Sequence, residues 1–135
     1  MIDPVLALYA AFVLRLCLGI LYLAHAMLKV RVFTIRGTVG YFRSLGLPGW
    51  FAYLTLVIEF GGAVCLVLGV LPRYVALLLI PHMLGTIVMV HGKKGWLFSN
   101  PDGGWEFPAF WAAALFVLFL LGDGAWVLLP SPGFH

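Results

Sequence analysis

Four apolar runs divide the chain, over about residues 5–28, 50–70, 74–90 and 107–129. Each approaches or exceeds the roughly 17 residues that a helix needs to cross hydrocarbon. Lipid offers no partner to a free backbone N–H or C=O, so each run is expected to be helical. The pattern predicts an all-α membrane protein: an antiparallel bundle of four transmembrane helices, forming one domain over residues 1–135. The third run is the shortest, and Pro81 in its middle is expected to kink it.

The connections carry their own patterns. Between the first two runs, Val32, Ile35, Val39 and Phe42 recur at helical spacing, with Arg36 and Arg43 on another face. This fits a short amphipathic helix in the headgroup layer, and a solvated basic loop is the alternative. The second connection is minimal, so the spans it joins should be antiparallel neighbours. The third holds Gly92, Gly95, Pro101, Gly103 and Gly104 and reads as loop, with Trp96, Phe98 and Trp105 suited to the membrane interface.

One stretch breaks the apolar pattern. At about 100° per residue, Arg15, Gly19, Tyr22, His25, Ala26 and Lys29 fall on one side of the first span. A charge there must face a partner or a cavity. At about 1.5 Å of rise per residue, Glu59 lies about 13 Å above Trp50 and His82 about 13 Å above His91. By the same measure Arg15 is about 21 Å from Lys29, and Asp123 about 25 Å from Glu106. The polar groups therefore form two layers. One holds Glu59 and His82, with Tyr22 and His25 nearby, and the cytoplasmic end of the stripe, His25 and Lys29, is expected to meet Glu59, His91 and Glu106. The other holds Arg15 and Asp123, expected as a structural ion pair, although Arg15 also has the reach for Glu59. Small residues support close helix packing: Ala52, Thr55, Glu59, Ala63 and Leu66 share one side of the second span.

Composition agrees. The chain is 64% hydrophobic and 10% charged, against about 25% charged in soluble domains. The net charge of +3 does not signal nucleic acid, because the basic residues sit in loops. Lys29, Arg31, Arg36, Arg43, Lys93 and Lys94 lie in the connections after spans one and three, while the opposite side holds Arg73. The positive-inside rule puts loops 29–49 and 91–106 in the cytoplasm and both termini outside. Cys17 and Cys65 lie inside spans without a CxxC or metal spacing, and read as small apolar side chains or as a helix-to-helix disulfide.

Glu59 is the sharpest chemical candidate. It is the sole charge in its span, and a carboxylate at that depth suits proton exchange. Glu59 and His25 are the expected catalytic groups. Arg15, Tyr22, Lys29, His82, His91 and Glu106 are the expected ligand-binding groups. His82 and His91 stand about 180° apart on an ideal helix, so both face inward only if Pro81 rotates the register. His25, His91 and Glu106 have donor types that suit zinc or iron, yet no spacing enforces a metal site. No metal is assigned, and an anionic or quinone head group is the favoured ligand.

These residues also form an ordered set of motifs. They are R-L-x-L-G-x-L-Y-L-x-H-x-x-x-K at 15–29, L-G-L-P at 45–48, E-x-x-G at 59–62 and L-G-V-x-x-R at 68–73. V-H at 90–91, G-G-W-E-F-P at 103–108 and L-G-D-G at 121–124 complete it. In this the chain resembles the DoxX family of small four-span bacterial and archaeal membrane proteins, with Ala26 where many members have glycine. The resemblance implies a multi-pass protein of the cell membrane, and a membrane subunit of a redox system such as a quinone-linked oxidoreductase. It favours Arg15, His25, Lys29, Glu59, His91 and Glu106 as polar site positions. No haem, flavin or iron–sulfur motif is present, so electrons would come from a partner complex or from substrate. The expected cofactor is a non-covalently bound quinone. The expected partners are the lipid bilayer and a larger membrane or peripheral redox complex, or further copies of the chain. The other reading is a non-catalytic accessory or scaffold subunit of a larger membrane complex.

Overall fold

A computed structural model describes residues 1–133. Among them are five helices: α1 (Pro4–Arg31), α2 (Thr34–Ser44), α3 (Trp50–Leu68), α4 (Pro72–Thr86) and α5 (Glu106–Leu121). A π-helical turn, Ile87–His91, continues α4. The described residues form no strand beyond an isolated bridge between Val70 and Leu129.

The helix ends follow local chemistry. Asp3 caps α1 by accepting from Val5 N at 2.8 Å and Leu6 N at 3.1 Å, and Pro4 occupies the first turn, where its missing N–H costs nothing. Lys29 and Arg31 sit in the last turn, at the negative end of the helix dipole. Gly69 ends α3 in the left-handed conformation (φ 73°) and Pro72 starts α4 almost at once. That connection makes α3 and α4 antiparallel neighbours. The expected amphipathic segment is α2, and the Thr38 hydroxyl ties it to α1 by donating to Lys29 O at 3.2 Å.

Three helices are long and apolar enough to cross a membrane: α1, α3, and α4 with its π turn. The fourth run departs from expectation. Its helix has 16 residues, 106–121, and stops at Gly122 (φ 107°). The 122–131 segment folds back over the bundle end instead of continuing to 129. Leu129 N donates to Gly69 O at 3.0 Å, Leu71 N to Leu129 O at 2.8 Å, and Ala125 N to Leu8 O at 3.2 Å. Gly124 (φ 82°) permits this approach, since any Cβ there would meet Phe12 N at 2.6 Å.

Leu18, Tyr22, Ala63, Leu66, Leu79, Met83, Trp111 and Leu115 share the core between the helices. The small-residue side of α3 faces in as expected: Ala52, Glu59, Ala63 and Leu66 are buried. Val57, Leu78, Val88 and Phe110 are among the large apolar side chains left outward, as a lipid-facing surface requires. Both cysteines are free, and Cys17 is exposed on the outer face rather than buried.

Candidate functional site

α1 carries two cations that face the bundle, Arg15, which is fully buried, and Lys29, which is partly buried. In a helix, Cα–Cβ bonds tilt toward the N-terminus. Lys29 therefore leans from the loop end of α1 back into the bundle, while Glu59 on antiparallel α3 leans toward Trp50 and the loop end. The two meet. Lys29 Nζ donates to both carboxylate oxygens of Glu59, at 2.7 and 2.9 Å, and the Glu59 side chain is 6% exposed. Glu59 is thus paired with Lys29, which was expected at the same end of the bundle, and not with Arg15.

A chain of three aromatic groups leads from this pair into the core. His82 Nε2 on α4 lies 3.8 Å from Glu59 Oε1. The Tyr22 ring, wholly buried, lies 6.1 Å from the His82 ring and meets Trp111 of α5 edge-on at 4.9 Å. The Tyr22 hydroxyl, His82 Nδ1 and Trp111 Nε1 are all buried without a hydrogen-bond partner. A buried polar atom without a partner carries a desolvation penalty, so such atoms are rare unless a water or ligand serves them. Trp111 was not among the expected site residues. Its sequence signal is a tryptophan inside an apolar run, with an N–H that hydrocarbon cannot satisfy.

The other expected residues separate. His25 does not join the carboxylate: its Nδ1 lies 3.1 Å from Leu21 O of its own helix, and its ring meets Trp111 edge-on at 4.8 Å. It sits on the side of α1 that faces α5. His91, at the end of the π turn, is held by the next loop: Nδ1 lies 3.1 Å from Gly103 O and the ring meets Phe107 at 4.8 Å. The i→i+5 turn shifts the register that an α-helix would keep between His82 and His91. Glu106 lines a separate groove with Trp96, Phe98, Phe107, Ala109 and Phe110. No three His, Cys, Asp or Glu side chains among the described residues converge as metal ligands, so the expected meeting of His25, His91 and Glu106 is not formed.

The far end of α1 corrects a second expectation. Arg15 and Asp123 are close to the same end but do not form the expected direct pair. Arg15, fully buried, donates from Nη2 to Ala125 O at 2.9 Å and Trp126 O at 3.0 Å. The Asp123 carboxylate accepts from Ser131 N and Ser131 Oγ, both at 2.7 Å, and from Arg73 N at 3.4 Å. The cause is the folded-back 122–131 segment, which turns its carbonyls toward the guanidinium. Arg15 Nη1 is pressed against Gly69, where any side chain would collide with it. The guanidinium carbon lies 5.3 Å from the Phe12 ring centre. Neither end of α1 opens into either of two surface grooves, one beside Glu106 and one between Leu23 and Val67.

Comparison with known proteins bears on this arrangement. The DoxX family model matches residues 10–92, which include Arg15, Tyr22, Lys29, Glu59, His82 and His91. The chain is 34% identical over 80 residues to "Putative oxidoreductase CatD" of Bacillus subtilis, a match covering 59% of this chain and 58% of that protein. It is 33% identical over 129 residues to "Inner membrane protein YphA" of Escherichia coli, covering 90% of this chain and 86% of that one. No solved structure matches it.

Proposed function

The chain belongs to the DoxX family and is a multi-pass membrane protein; on that footing we propose that it serves as the membrane subunit of a redox system, with Lys29, Glu59 and His82 handling protons beside a bound carbonyl head group. The observation that carries this reading is the buried Lys29–Glu59 pair with His82 at 3.8 Å, next to three buried donors that have no acceptor. A quinone head group suits them. The Tyr22 hydroxyl, Trp111 Nε1 and, in the matching tautomer, His82 Nδ1 would donate to its carbonyl oxygens. Reduction of a quinone consumes two electrons and two protons. The electrons would come from a partner protein, because the sequence carries no motif for an electron-carrying cofactor. The relative named as an oxidoreductase supports the direction of the reading.

The topology that goes with it has four crossings: α1, α3, α4 with its π turn, and α5. At about 1.5 Å per residue α5 spans about 24 Å, and the 122–131 segment would complete its end of the bundle. The basic loops 29–49 and 91–106 would lie in the cytoplasm and both termini outside, in a bacterial or archaeal cell membrane.

The test is extraction of the purified full-length protein for bound quinone, followed by quinone-dependent turnover with its partner complex. Glu59→Gln should assemble and lose turnover. Intact turnover in that variant would remove the proton role. A second reading, a non-catalytic accessory subunit, draws on a different observation: Lys29 engages Glu59 in both oxygens, and neither the groove beside Glu106 nor that beside Leu23 is lined by the pair. Purification in fixed ratio with a larger complex, without quinone and with Glu59→Gln fully active, would favour it.

A further inference from the structure

The groove beside Glu106 lies outside the Lys29–Glu59 cluster and has chemistry of its own. It has a volume of about 420 Å³ and is lined by Trp96, Phe98, Glu106, Phe107, Ala109 and Phe110. Its floor is fixed in place: Glu106 N donates to Trp96 O and Trp105 N to Gly95 O, both at 3.0 Å. Trp105 also braces Trp96 edge-on at 4.4 Å, and His91 backs Phe107 at 4.8 Å. Within this frame the half-buried Glu106 carboxylate has no hydrogen-bond or ion-pair partner among the described residues.

A carboxylate set among aromatic faces selects for a cation. The ring quadrupoles attract an ammonium group, and the carboxylate supplies the counter-charge. An anionic ligand would be repelled, and a neutral one would leave the carboxylate unpaired. Glu106 begins α5 next to the Trp96 and Trp105 rings, residue types that settle at the membrane interface. Beyond it the outer face of α5 is open, with Phe110 76% and Phe116 51% exposed, and acyl chains can lie along it. We propose that this groove binds the ammonium headgroup of a lipid of the phosphatidylethanolamine type, with the amine on Glu106 and between the Trp96, Phe98 and Phe110 rings.

The test is native mass spectrometry of the full-length, delipidated protein titrated with dioleoyl phosphatidylethanolamine and, separately, with dioleoyl phosphatidylglycerol. The expected result is a preference of about two- to fivefold for the amine-bearing lipid, the scale of one cation–π contact at an exposed site. Glu106→Gln should abolish the preference, and Trp96→Leu should weaken it, with the thermal midpoint of each variant near that of the parent. Equal binding of the two lipids, or a preference that survives Glu106→Gln, would overturn the proposal. So would binding of millimolar tetramethylammonium chloride with no binding of the phosphatidylethanolamine, which would make the ligand a soluble amine. Retention of a neutral quinone in this groove, unaffected by Glu106→Gln, would also overturn it.

Discussion

Arg15 and Lys29 stand on the same helix and solve the same problem in two ways. Each is a cation taken into an apolar bundle. Arg15 donates from one nitrogen, Nη2, to two main-chain carbonyls, Ala125 O and Trp126 O, and leaves Nη1 packed against Gly69. Lys29, a compact point charge, meets a carboxylate and is answered in kind. The first arrangement clasps a segment of chain: remove the guanidinium and the 122–131 loop loses one of its anchors, the others being main-chain bonds to Leu8, Gly69 and Leu71. The second neutralises two charges beside His82, and both places hold buried donors without a partner: Arg15 Nε and Nη1 in the first, the Tyr22 hydroxyl, His82 Nδ1 and Trp111 Nε1 near the second. A buried arginine among carbonyls is therefore a structural device here, whereas the lysine end has the makings of chemistry.

The sharpest way to break this contrast is to remove each cation. Lys29→Met strands the Glu59 carboxylate in the core, and loss of one partner of a buried pair costs about 3–5 kcal/mol. Thermal or denaturant unfolding in detergent should register that loss. The double variant Lys29→Met/Glu59→Gln should recover most of it, because no buried charge is then left unpaired. A double variant as unstable as the single one would show that the pair is not the source of the effect. Turnover should stay absent in both. Arg15→Met is expected to cost about 2–4 kcal/mol, through two orphaned carbonyls and a poorly filled site. Its signature is local: proteolysis should cut the 122–131 segment first, while quinone content per folded molecule stays unchanged. Unchanged protease resistance there would contradict the clasp. Arg15→Lys should fall between, at about 1–2 kcal/mol, because an ammonium can still donate to a carbonyl but leaves the space of Nη1 beside Gly69 unfilled.

The two ends also differ in how far the sequence disclosed them. The helices were legible because apolar runs bounded by glycine, proline and basic residues have few other uses in a membrane. The polar positions were legible because each breaks such a run. Their exact partners were less so: Lys29 and Glu59 were placed at the same end but not as a direct pair. Depth counted from Cα positions ignores the tilt of side chains along the helix axis, and that tilt brings Lys29 and Glu59 together. The acceptors of Arg15 are main-chain carbonyls, which carry no signature in residue identity, so Asp123 was the natural expectation. L-G-D-G at 121–124 did hold a usable signal. Two glycines and an aspartate are poor helix interior, and they mark where α5 stops and the chain turns back. Trp111 went unnoticed because aromatic residues in spans are common and its N–H matters only once Tyr22 and His25 are placed beside it.

The smallest expected effect separates a reserved donor from a satisfied one. If the Tyr22 hydroxyl has no partner in the resting protein, Tyr22→Phe removes a desolvation penalty and no hydrogen bond. Stability should then change by no more than about 1 kcal/mol, and in the favourable direction. The ring stays, so its contacts with Trp111 and His82 stay with it. A hydroxyl already bonded to ordered water or to Glu59 would instead register as a loss of about 1 kcal/mol or more. The same variant assayed for bound quinone gives the other half of the answer. Neutral stability with reduced quinone content would mark Tyr22 as a donor held for a ligand. Neutral stability with unchanged content would move the carbonyl contact to Trp111 or His82, and Trp111→Phe, which keeps a ring but deletes the N–H, is the variant that decides between them.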